Sequence, residues 1–135
     1  SRFLTRKSMP VRILLVDDEI DFVVALSNRL VMRNYEVIFA FSGDMALKEF
    51  DHKKFDVVLL DILMPGIGGL ETYERIRSID PAVRVIMLSA HTDLSVAINQ
   101  MKKGVFDYLI KPIEIEDLIE KIELAYHHKN ISLET

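Results

Sequence analysis

The sequence predicts a doubly wound α/β fold: a five-stranded parallel sheet with five helices divided between its two faces. Three observations carry that prediction. Short aliphatic runs alternate five times with segments whose apolar residues recur at helical spacing. The runs are apolar throughout, as strands buried on both faces are. Four of them end in a polar residue: Ile13-Leu14-Leu15-Val16 in Asp17-Asp18, Val57-Val58-Leu59-Leu60 in Asp61, Val85-Ile86-Met87-Leu88 in Ser89, and Tyr108-Leu109-Ile110 in Lys111.

The first strand covers residues 11–16 and leads into a helix marked by Phe22, Leu26 and Leu30. The second, residues 35–39, runs into Phe39-Ala40-Phe41-Ser42 with no charged group at its end, which suits a sheet edge. Ser42 is placed to cap the second helix, marked by Ala46, Leu47 and Phe50. The third strand, residues 57–60, is the most apolar, and Met64-Pro65-Gly66 after it reads as a tight turn. Leu70, Tyr73 and Ile76 mark the third helix. Asp80-Pro81 stops it, because proline disfavours helical geometry in the residue before it.

The fourth strand is residues 84–88. Thr92 is placed to cap a fourth helix marked by Leu94, Ala97, Ile98 and Met101, with Gly104 as its left-handed C-terminal cap. The fifth strand, residues 107–110, leads to a helix marked by Ile115, Leu118, Ile119 and Ile122. Glu114, Glu116 and Asp117 at its start and His127, His128 and Lys129 at its end suit the helix dipole. Right-handed crossovers put helices on both faces. The flavodoxin-like order 2-1-3-4-5 puts strands 1 and 3 side by side, with the ligand crevice outside their C-terminal ends.

A chain of 135 residues suits one domain. Residues 9–129 are read as that domain, residues 1–8 as a leader outside the fold, and residues 130–135 as a tail or the start of a linker. Hydrophobic residues at 50% and charged residues at 28% exclude a disordered chain. The absence of cysteine excludes zinc-thiolate sites and disulfides and suits the cytoplasm. A net charge of −4 without a dense Lys/Arg cluster argues against direct nucleic-acid binding by this domain. No apolar stretch approaches the roughly 20 residues of a membrane span, so no membrane partner is expected.

The strand ends carry the chemistry. Asp17-Asp18-Glu19 alone is an ordinary solvated helix start. Asp61 changes that reading, because an unpaired ionised carboxylate at the end of so apolar a strand is costly. Neighbouring carboxylates repel one another unless a cation intervenes, and magnesium takes one or two carboxylates together with water and phosphate oxygens. Lys111 and Ser89 offer an ammonium and a hydroxyl to the oxygens of a phosphoryl group. A magnesium-dependent phosphoryl-accepting crevice is the expected site.

From residue 10 to residue 128 the chain resembles the response-regulator receiver domains of two-component phosphorelays. The motifs are Asp17-Asp18, Asp61-Ile62-Leu63-Met64-Pro65-Gly66, Leu88-Ser89-Ala90 and Tyr108-Leu109-Ile110-Lys111-Pro112. The resemblance implies that Asp61 takes a phosphoryl group from a phosphohistidine on a sensor histidine kinase or a histidine phosphotransfer protein. It implies Mg2+ held by Asp18, by Asp17 mainly through water, by Asp61, and by the backbone carbonyl of Leu63. Lys111 would pair with Asp61 and then with the phosphoryl group, and the Lys111-Pro112 bond would be cis. Ser89 and Tyr108 would act as the switch, moving the face of the fourth helix, fifth strand and fifth helix to control a partner or effector domain. Homodimerisation on phosphorylation is a further expectation. Such a domain catalyses only its own phosphorylation and a slow dephosphorylation.

Leu63 offers an apolar side chain where a polar one would orient a hydrolytic water, so slow self-dephosphorylation is expected. His91, two residues past Ser89, is a loop residue that would touch solvent near the phosphoryl group. Gly66-Ile67-Gly68-Gly69-Leu70-Glu71 imitates a dinucleotide fingerprint, but its third glycine falls at Glu71, whose charge would repel pyrophosphate. The rival aspartyl-phosphate phosphatase reading requires a second aspartate where Leu63 stands. A receiver-like interaction module signalling without phosphorylation is the alternative, and it predicts a damaged acidic set. The full set is present.

Overall fold

The computed structural model of the protein describes residues 9–90, 99 and 102–134. The elements are β1 (Arg12–Val16), α1 (Ile20–Val31), β2 (Glu36–Ala40), α2 (Gly43–Phe50), β3 (Val57–Asp61), α3 (Gly69–Ile79), β4 (Arg84–Ser89), β5 (Asp107–Ile110) and α4 (Ile115–Glu134). The strands form one parallel sheet in the order β2-β1-β3-β4-β5. This is the predicted order, with β2 at an edge. The helix expected between β4 and β5, its Thr92 cap and His91 lie outside the described residues.

Side chains alternate across a strand, so each strand feeds two cores. Leu14, Val16, Val58, Leu60 and Met87 meet Ala46 and Phe50 of α2 and Tyr73 and Ile76 of α3. Ile13, Leu15, Leu59, Ile86 and Leu88 meet Val23, Leu26 and Leu30 of α1 and Leu118, Ile122 and Ala125 of α4. Every residue of β3 is buried. Each buried aliphatic side chain contributes about 2 kcal/mol, which fixes β1, β3 and β4 as the rigid floor of the crevice above them.

The helix punctuation follows the sequence in most places. Ser42 Oγ accepts from the Met45 amide at 3.1 Å. Asp80 ends α3 in extended geometry, and Gly66 and Gly104 take φ values of +82° and +102°. Tyr73 donates its hydroxyl hydrogen to the Lys103 carbonyl at 3.0 Å, which ties α3 to the turn holding Gly104.

Two expectations need correction. Leu70 is exposed, and the buried position at the start of α3 belongs to Thr72, whose hydroxyl bonds the Gly68 carbonyl at 2.8 Å. The last helix does not stop at Lys129 but continues to Glu134.

Candidate functional site

The crevice is built where three strand ends are stitched together past their last residues. The Asp17 amide donates to the Ala40 carbonyl at 3.1 Å, the Ile62 amide to Leu88 at 3.1 Å, and the Lys111 amide to Ser89 at 2.8 Å. These bonds carry Asp17, Asp61, Ser89 and Lys111 to one edge of the sheet. Gly69 closes α3 against that edge: its amide donates to the Ile62 carbonyl at 2.9 Å. A methyl group at Gly69 would lie 2.2 Å from the Asp61 carbonyl oxygen.

Asp17, Asp18 and Asp61 each present a carboxylate oxygen, and these three atoms lie within 4.8 Å of one another. Asp17 and Asp61 are buried, whereas Asp18 is open to solvent. Burial first, and then the charge of Asp17, push the Asp61 carboxyl up to about 6. Lys111 and the Leu63 amide, which donates to Asp61 Oδ1 at 3.3 Å, pull the other way without cancelling the rise. A donor set made of three hard oxygens, with two of the carboxylates buried, fits a hard divalent cation.

Lys111 lies nearer to two other carboxylates than to Asp61. Its ammonium lies 2.6 Å from Asp17 Oδ2 and 2.8 Å from Glu19 Oε1, but 3.9 Å from Asp61 Oδ2. Burial works against the charge of Lys111, yet the bonds to Asp17 and Glu19 outweigh it and hold its pKa above the ordinary value. The Phe22 ring lies 4.5 Å from the nitrogen. The Lys111-Pro112 bond is cis.

Ser89 is buried at the end of β4, beside β3. Tyr108 stands three residues before Lys111, half-buried against the core on the α2 and α3 side, outside the carboxylate cluster. Leu63 is 55% exposed, and its amide donates to the acceptor carboxylate. Sequence reasoning left Glu19 and Phe22 without a place in the site. Their signal was their position just after the acidic pair, which served equally well as the start of a helix.

A five-stranded 2-1-3-4-5 sheet whose C-terminal edge gathers three carboxylates and a lysine defines the receiver class of signalling domain. A family model described as the response regulator receiver domain matches residues 13–123. The chain belongs to that family.

Among its relatives, the transcriptional regulatory protein ZraR of Escherichia coli O157:H7 is 35% identical over 121 residues, covering 90% of this chain and 27% of ZraR. The chain thus spans about a quarter of the length of that relative. The chemotaxis protein CheY of Listeria monocytogenes is 34% identical over 116 residues, covering 85% of this chain and 98% of CheY. A receiver domain structure from Clostridium thermocellum superposes with a TM-score of 0.84 at 35% identity, covering 90% of this chain and 98% of that one. The response regulator TrrA of Thermotoga maritima, solved in complex with Mg(2+)-BeF, gives 0.77 at 34% identity, covering 85% and 98%.

The protein is therefore a response-regulator receiver domain with the acidic pocket typical of a phosphoacceptor site. No helix among the described residues is long and apolar enough to cross a membrane.

Proposed function

We propose that Asp61 is the phosphoacceptor and that the domain receives its phosphoryl group from a phosphohistidine on a sensor histidine kinase or histidine phosphotransfer protein. The observation that carries this reading is the buried Asp61 carboxylate, with Asp17 and Asp18 beside it and Lys111 3.9 Å away. An Asp61 oxygen attacks phosphorus, the new O–P bond forms as the P–N bond breaks, and the imidazole leaves. A loose transition state of this kind needs alignment and charge neutralisation more than covalent assistance.

Asp17, Asp18, Asp61 and the Leu63 carbonyl would hold Mg2+, which supplies positive charge to phosphoryl oxygens when bound. Lys111 contributes a second positive charge from the chain itself. Ser89 donates to a phosphoryl oxygen, a contact that acts as a switch if it is stronger in one of two conformations. Tyr108, half-buried at β5, is the residue that follows it. The crevice between α1 and Pro112 is lined by Phe22, Leu26, Ala90 and Ile113, with Lys111 at its edge. Its apolar wall suits approach by a protein donor. The cytoplasm is the compartment that such a donor implies, and control of an effector or a dimer is the output.

The test is intact mass after incubation with magnesium and acetyl phosphate. Gain of one phosphoryl group by the parent and none by Asp61→Asn supports the assignment. No gain by either, with the fold intact and magnesium bound, would favour an interaction module that signals without phosphorylation.

A further inference from the structure

The contacts of Lys111 contain a residue that the reaction above does not use. Glu19 stands at the N-terminal boundary of α1, yet its side chain makes no capping hydrogen bond. Its carboxylate turns instead to Lys111, at 2.8 Å. Its backbone amide donates to Asp17 Oδ1 at 3.0 Å. One residue thereby holds both neighbours of the acceptor, Asp17 through its amide and Lys111 through its carboxylate. Phe22, one turn further along α1, presents its ring to the same ammonium.

We propose that Glu19 is a positioning residue for Lys111: with Phe22 it holds the ammonium in a resting place offset from Asp61 and yields it when Asp61 is phosphorylated. The inference rests on the reading of Asp61 as acceptor. An ammonium has three donors, and in the resting arrangement two of them serve Asp17 and Glu19. The Glu19 side chain is 64% exposed, whereas that of Asp17 is fully buried. Water can replace Lys111 at Glu19 at little cost, but not at Asp17. The ammonium stands 3.9 Å from Asp61 Oδ2, so reaching a phosphoryl oxygen there requires it to move, and of its two partners Glu19 is the one it leaves while Asp17 keeps its contact. Glu19 is then a competitor present before phosphorylation and absent after it, so removing it shifts the balance towards the modified form.

The test uses the full chain with Mg2+ and beryllofluoride, a phosphoryl mimic, and reads affinity by titration calorimetry. Glu19→Gln is expected to tighten binding by about two- to fivefold, the factor an exposed ion pair is worth. Glu19→Asp keeps the charge but withdraws it by one methylene, and is expected to behave like Glu19→Gln. In the metal-free protein, both variants should shift the NMR signal of the Lys111 ammonium, a response that loss of a helix-end residue alone would not produce.

Unchanged affinity in both variants would overturn the proposal. So would tightening in Glu19→Gln with parental affinity in Glu19→Asp, because charge acting at a distance would then explain the effect. Failure of the parent to bind beryllofluoride would overturn the acceptor reading itself, and the proposal with it.

Discussion

At Asp61 the folded chain works against its own ionised carboxylate. The group releases its proton near 3.8 when unperturbed and near 6 in the fold, where burial and Asp17 oppose its charge. The native state therefore keeps a proton that the unfolded chain has already lost. The stability this confers is full below about 4 and disappears as pH rises through about 6. Asp61→Asn retains the shape without the charge, so it should raise the Tm of the metal-free protein by about 3–6 °C at pH 8 and by little at pH 4. Thermal melts in EDTA at both values check this; an equal gain at the two would rule out ionisation as the cause. Leu63 sets a different property. Its exposed side chain offers no hydrogen bond to an attacking water, so Leu63→Asn should shorten the aspartyl-phosphate lifetime severalfold in a phosphate-release assay.

Among the elements, the junction of β3 with α3 leaves the least room. A side chain at Gly69 would press on the Asp61 carbonyl oxygen and the Ile62 Cα, which are backbone atoms that cannot swing aside. Gly69→Ala should cost about 1–3 kcal/mol, seen as a lower urea midpoint, and should slow phosphorylation by displacing the acceptor.

The strands themselves were legible because burial on both faces writes a continuous apolar run that polar residues terminate. Asp17, Asp61, Ser89 and Lys111 were legible for the same reason. The Glu19 contact was not, since its partner lies 92 residues away and the pairing depends on how two loops meet above the sheet. Helix phase misled at Leu70, because Thr72 satisfies its hydroxyl within its own turn and can be buried. The end of α4 was misplaced because a basic His127-His128-Lys129 run suits a helix terminus without breaking a helix, and neither glycine nor proline follows it.

For the whole molecule, a cation that binds the folded crevice but not the unfolded chain must stabilise the fold by mass action. Mg2+ at about a hundred times its Kd would add about 2.7 kcal/mol. The Tm should rise with Mg2+ in the parent and respond far less in Asp18→Asn, as differential scanning calorimetry would register. Helix α4 gives the molecule a mechanical property as well. Its 20 residues extend about 30 Å, while a five-residue strand beneath it spans about 17 Å. Leu118, Ile122 and Ala125 seat the helix on the sheet, and near its far end Lys129 reaches back to Asp56, just before β3, at 3.0 Å. The helix thus works as a strut, running from the crevice edge of the sheet, where β5 ends, to the opposite edge, where Asp56 precedes β3, so that the two edges are braced against each other by a single element.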